Sequence, residues 1–183
     1  MTVEGELRRW VRGDAGALLL AVDASPDLAT QFGGDELGTT TACQDFIDRY
    51  LSKQEPDGHN LAITVDGRAV GNVGLSNIER RHDTAWVHYW VATPYRRRGL
   101  ATRALATLAA RAYLEFGLFR LELGHRVNNP ASCSVACGAG FPAEGIERAK
   151  LRYGDRRFDV ETHARLATDP TPAALPLRCD DAY

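Results

Sequence analysis

The sequence predicts an α+β protein built on one mixed, mostly antiparallel sheet flanked by helices. Three observations predict it. A short strand is followed by two helices; three strand-like segments then run in succession with tight turns; a helix, a strand and a short helix precede a closing hairpin. Consecutive strands joined by short turns pair antiparallel, and the late helix between strands adds one parallel crossover, so the plan is not doubly wound.

Each element has its own local reason. Glu6 to Trp10 alternates as a strand, and Asp14 is placed to cap the helix after it. Ser25-Pro26 and Gly33-Gly34 break the pattern before a second helix from Thr40 to Ser52, whose Cys43, Phe46, Ile47 and Tyr50 share one face. This helix pair, residues 14–52, is expected to be mobile and to face the substrate. Asn60 to Val65 ends at the hairpin dipeptide Asp66-Gly67, and Arg68 to Ile78 carries Gly71 and Gly74, which signal a bulge or a close backbone approach. Thr84 to Thr93 is dense in β-branched and aromatic residues and stops at Pro94. A helix from Gly99 to Phe116 turns its apolar side through Leu100, Ala104, Leu105, Leu108, Ala112 and Leu114, with Gly117 as its C-terminal stop. Phe119 to His125 reads as a strand and Asn129-Pro130 opens a short helix to Cys137. Gly145 to Tyr153 and Arg157 to Leu166 form the last hairpin around Gly154-Asp155. Residues 1–168 are expected to form the domain. Residues 169–183, with three prolines close together, read as a disordered tail.

Bulk properties exclude several function classes. The 183 residues suit one domain. A net charge of −2 with 25% charged residues argues against a nucleic-acid binder. No apolar run is long enough to span a membrane and no cleavage pattern marks a signal peptide, so cytoplasmic residence is expected. The four cysteines are too scattered for a disulfide scaffold. Cys133 and Cys137 sit one helical turn apart and could share a metal. No second closely spaced Cys or His pair accompanies them, and packing is the commoner fate of helical cysteine, so no metal is expected.

The turn Arg96-Arg97-Arg98-Gly99-Leu100-Ala101-Thr102 carries the first chemical signal. The first turn of a helix has amide N–H groups without intrahelical acceptors and a partial positive charge, which suits phosphate oxygens. Gly99 lets the backbone come close, Ala101 does not block it, Thr102 offers a hydroxyl, and three arginines add charge. A solvated basic helix start explains the same residues, and the turn alone leaves both readings open.

Longer segments add context. Tyr89 to Thr102 resembles the coenzyme A-binding motif of the GNAT superfamily (GCN5-related N-acetyltransferases), met here by Arg96, Gly99 and Ala101. Asn129-Pro130-Ala131-Ser132 followed by Gly140-Phe141 resembles that family's second hallmark. Tyr153 to Asp159 leading to Ala164-Arg165-Leu166 resembles the last hairpin of its RimJ/RimL-like branch. The resemblance implies the GNAT fold over about residues 6–167, with the sheet splayed between its two central strands and coenzyme A in the gap. It implies that backbone groups around Trp90 and Val91 bond the pantetheine arm. The N–H groups of Arg98, Gly99, Ala101 and Thr102 would hold the pyrophosphate, with Arg96, Arg97 and Leu100 in the same turn, and Asn129 would touch the arm from the far side. A homodimer is compatible with the branch.

The activity implied is acetyl transfer from acetyl-CoA to a primary amine, either a protein N-terminus or a small molecule. Succinyl-CoA or another acyl donor is an open alternative, since the motif recognises coenzyme A. A binding or sensor module with little turnover is a second alternative. Ser132 stands where the branch has its acid; a helix-start serine bonded to local backbone is the plain reading. The branch's usual base, a glutamate, is replaced by Trp86 in Ala85-Trp86-Val87-His88-Tyr89-Trp90. By alternation Trp86, His88 and Trp90 share a face, and His88 is the expected substitute base, with pocket lining as its plain role. Asp83, Glu79 and Asp159 are weaker alternatives. Trp86 and Trp90 could wall an amine pocket or simply pack. His59, His82, His125 and His163 read as surface or packing residues.

Overall fold

A computed structural model describes residues 4–32, 35–53 and 58–179. Strands β1 (Glu6–Arg8), β2 (His59–Val65), β3 (Arg68–Glu79), β4 (Thr84–Val91), β5 (Arg120–Arg126), β6 (Ala143–Tyr153), β7 (Arg156–Leu166) and β8 (Arg178–Cys179) form one sheet. Its spatial order is β6-β7-β5-β4-β3-β2-β1-β8. Only β4–β5 and β1–β8 are parallel among the described pairs, so the expected mixed, mostly antiparallel sheet is found.

Helices α1 (Ala15–Asp23) and α2 (Thr40–Phe46) cover one face, and α3 (Leu100–Phe116) and α4 (Pro130–Gly138) the other. The first core joins Trp10, Leu18, Phe32, Cys43, Ile47 and Trp90. The second joins Leu7, Val73, Leu75, Leu105, Leu121 and Phe141. A sheet with two apolar faces must be covered on both, which is why the chain places one helix pair before and one after the central strands.

The central feature is the β4–β5 pair. Its parallel ladder holds only Thr84 with Arg120, Ala85 with Leu121, and Trp86 with Glu122. β4 continues to Val91 and β5 to Arg126 without pairing each other. The two strands therefore part after Trp86, and a wedge-shaped gap opens toward the start of α3.

Several local expectations need correction. Asp14 does not cap α1 with its side chain; it accepts from Arg8 at 2.7 and 2.8 Å and from the Val11 amide. The bidentate pair with Arg8 and the Val11 amide commit both carboxylate oxygens. Leu114, read as part of the apolar side of α3, is 86% exposed. Helix α2 is capped by Thr39 and widens into a π turn over Ile47–Leu51. The 14–52 segment, expected to be mobile, packs Leu18, Leu28, Phe32, Cys43 and Ile47 into a core; its Gly33-Gly34 break lies outside the described residues. In the tail, residues up to Cys179 are described and touch the domain. Leu177 is buried, its amide donates to Thr107 at 2.9 Å, and β8 pairs with β1. The Pro176 carbonyl accepts from Arg103 at 3.4 Å, and burial of Leu177 offsets the ordering cost. Residues 180–183 lie outside the described part.

Candidate active site

The turn from Arg96 to Thr102 leads directly into α3. Gly99 is its N-cap, with φ 75°, a left-handed conformation that costs a residue with a side chain about 1–2 kcal/mol. Arg97 is left-handed as well, at φ 59°. The Gly99 carbonyl accepts the first intrahelical bond, from Arg103. The amides of Gly99, Leu100, Ala101 and Thr102 precede that bond and have no carbonyl one turn back. Gly99 is exposed, so this N-terminal pole faces outward beside the β4–β5 gap.

The arginines divide by role. The Arg96 guanidinium donates to the Val91 carbonyl at 2.8 Å and pairs with Asp27 at 2.9 Å. It braces the turn against the end of β4 and is committed to protein partners. Arg98 donates to the Pro94 carbonyl and lies over the Tyr95 ring, while Arg97 is exposed. Arg97 and Arg98 therefore keep positive charge at the surface of the turn.

On the far side of the gap, Asn129 caps α4. Its carbonyl oxygen accepts from the Ser132 amide at 3.2 Å, and its amide nitrogen donates to the Ser132 hydroxyl oxygen at 3.0 Å. The Ser132 hydroxyl thus receives one bond and keeps its own proton for another acceptor. Tyr89, on β4, crosses the gap and donates to the Ser132 carbonyl at 3.1 Å. Burial pushes the Tyr89 phenol up to about 12, so it stays protonated. Sequence reasoning gave Tyr89 no role in the site; no local signal marks a bond spanning 43 residues.

Trp86 stands on the last rung before the strands part. It is partly exposed, and the Lys150 ammonium lies 5.0 Å from its ring centre. That ring face already attracts an alkylammonium. Trp90, by contrast, is buried against Trp10 and Phe32, so its side chain serves the core.

His88 turns its Nε2 toward a protein partner. Its ring reaches across β3 over Gly74 to β2, away from β5, and Nε2 lies 2.9 Å from the Asn60 carbonyl oxygen. A β-carbon on Gly74 would sit 2.6 Å from that nitrogen, so only glycine permits the contact. The hydrogen-bond chain fixes the tautomer. Trp10 Nε1 can only donate, to Asn72 Oδ1; Asn72 Nδ2 then donates to Asn60 Oδ1, and Asn60 Nδ2 donates to the Tyr50 carbonyl. Nε2 of His88 must therefore donate to Asn60 Oδ1, which leaves the lone pair on Nδ1. Burial lowers His88 to about 4, too weak to hold a proton taken from an amine near neutral pH. His88 thus belongs to a polar network running from Trp10 to Tyr50, which alternation alone did not reveal.

Two of the histidines read as surface or packing residues lie together in the interior. His125 and His163 are buried and meet with their Nε2 atoms 3.0 Å apart. Glu161 and Cys133 adjoin them.

Comparison with known proteins agrees with this geometry. The family model described as "Acetyltransferase (GNAT) domain" matches residues 6–142. The chain belongs to the GNAT acetyltransferase family. A probable N-acetyltransferase, YjcK of Bacillus subtilis, is 31% identical over 120 residues, 65% of this chain and 66% of the relative. A ribosomal-protein-serine acetyltransferase of Escherichia coli is 30% identical over 104 residues, 57% of this chain and 58% of the relative. The matches thus span about three-fifths of the curated relatives' length. Among solved structures, RimJ of Mycobacterium smegmatis, in complex with a coenzyme A disulfide, superposes with a TM-score of 0.79 at 25% identity, covering 88% of this chain and 81% of RimJ. The splayed sheet and the α3 turn of this chain are therefore those of a GNAT fold.

Proposed function

We propose that this GNAT protein transfers an acetyl group from acetyl-CoA directly to a primary amine. The observation that carries the proposal is the parting of β4 and β5 after Trp86, in line with the outward-facing amides of the α3 turn. The unpaired edge of β4 can bond an extended pantetheine arm as a strand would, and the α3 pole suits its pyrophosphate. Arg97 and Arg98 add charge, while Arg96 holds the turn in place.

In the reaction, the lone pair of a neutral amine attacks the thioester carbonyl carbon and the carbon–sulfur bond breaks. The leaving thiolate takes the hydroxyl proton of Ser132, which Asn129 orients, and the serine regains a proton from solvent. The proton on the new nitrogen leaves to water. His88 lines and stiffens the strand beside the site. Trp86 offers its ring face to the incoming amine, the place its own Lys150 occupies.

For the acceptor, the relative named as a ribosomal-protein-serine acetyltransferase makes a protein N-terminus one candidate class. Trp86 replaces the glutamate of that branch's pattern, which favours a different amine, including a small molecule. Incubating the protein with acetyl-CoA and both classes of amine, and reading released thiol, tests the proposal. Turnover with at least one amine is expected, falling about 10²–10⁴-fold in Ser132→Ala with little change in the KM for acetyl-CoA. Coenzyme binding without thiol release from any amine would instead make the chain an acyl-CoA sensor.

A further inference from the structure

We propose that His125, His163, Glu161 and Cys133 form a binding site for a zinc-class divalent metal, placed under the first turn of α4. The site stands independently of the acetyl-transfer reading. It follows from the register of β5 and β7, which sets Leu123 opposite His163 and His125 opposite Glu161. One face of that pair therefore carries both imidazoles and the carboxylate, and α4 lays Cys133 over them. One ligand atom from each of the four residues lies within 4.8 Å of all the others.

The hydrogen bonds around the histidines give the reason to invoke a cation. His125 Nδ1 lies 3.0 Å from the Arg126 carbonyl and His163 Nδ1 lies 2.9 Å from the Phe141 carbonyl. A carbonyl only accepts, so both Nδ1 atoms donate and both neutral rings carry their lone pair on Nε2. Those two nitrogens then face each other at 3.0 Å, with Glu161 Oε2 at 3.3 and 3.4 Å from them. Two lone pairs and a carboxylate turned toward one point, with His163 fully buried and His125 nearly so, require a positive charge between them. An imidazole whose outer nitrogen is fixed by a carbonyl is the arrangement metal-binding histidines show.

The spacing suits the ion. Tetrahedral zinc with bonds of about 2.0–2.1 Å sets its nitrogen and oxygen ligands roughly 3.3–3.4 Å apart, close to the three separations above. Two imidazoles, one carboxylate and one thiolate make a donor set of borderline softness, which favours zinc or cobalt over magnesium or calcium. Glu161, with its side chain 27% exposed, provides the route in. The Cys133 thiol, with its own proton, lies beside the Glu161 carboxylate. Metal binding forms a metal–sulfur bond and releases that proton to solvent, so affinity rises with pH. The bound ion would tie β5, β7 and α4 together at the residue next to Ser132.

The experiment is titration of the metal-stripped full-length protein with cobalt(II), followed by metal analysis after dialysis against zinc. The expected result is one ion per chain, with tetrahedral cobalt absorption and a thiolate-to-metal band. Cys133→Ser should keep the ion and lose that band. His163→Ala should weaken binding by more than about 100-fold, beyond the loss of an outer partner. Glu161→Gln should weaken it at a partly exposed position that does not threaten the fold. Absence of stoichiometric metal in folded wild-type protein would overturn the proposal and leave a proton shared between the imidazoles. So would a cobalt spectrum unchanged by Cys133→Ser, or affinity unchanged in Glu161→Gln.

Discussion

At the scale of single residues, His88 shows how a side chain's neighbours decide its chemistry. Bonded through Nε2 to Asn60 and half-buried, it holds its neutral form down to about pH 4. In the unfolded chain it takes a proton near 6.5. Between those values the unfolded state binds more protons, so His88 contributes a stability that is present above pH 6.5 and lost as pH falls toward 4. The full difference is roughly 3 kcal/mol. Urea unfolding of the wild type and His88→Gln from pH 7 to 4 should show the wild type losing more stability than the variant across that window. Parallel pH curves would show that His88 is not held neutral by its surroundings. Ser132 makes the complementary case. Its hydroxyl oxygen accepts from Asn129 rather than serving the backbone, which leaves a proton to give.

At the scale of elements, what was legible in the sequence had a local cause. The β2–β3 hairpin follows from Asp66-Gly67, and the start of α3 from Gly99. The α4 cap follows from Asn129 with Pro130. What was not legible came from register and distance. Asn60, Asn72 and Trp10 form one chain because β1, β2 and β3 lie side by side, with Asn72 reached across 62 residues. His125 and His163 meet because β5 pairs with β7, though 38 residues separate them. The tail misled for a similar reason: its prolines are visible locally, but the groove that takes Leu177 is not. That groove gives a prediction. Leu177→Ala should lower stability by about 2–5 kcal/mol in denaturant unfolding, because β8 and the bond to Thr107 depend on the same anchor. A loss below a few tenths of a kcal/mol would show that the tail does not dock in solution.

At the scale of the whole molecule, two cores on opposite faces hold a sheet that is continuous at one end and split at the other. Trp86 and Glu122 end the shared ladder, and Tyr89 bridges β4 to α4 and so fixes how far the walls stand apart. The α3 turn closes the same gap with its helix pole. On the proposed reading, donor recognition belongs to this architecture rather than to any one arginine, since Arg96 is spent on Val91 and Asp27. On the same proposed reading, acceptor choice belongs to the few residues at the split, where Trp86 and Lys150 meet. The most direct test is calorimetric titration of coenzyme A into the wild type and into Gly99→Ala, with thermal unfolding to confirm that the variant is folded. One coenzyme A per wild-type chain, bound at least about tenfold more weakly by the variant whose left-handed cap is strained, is the predicted result. No binding to the folded wild type, or equal binding to both, would contradict it.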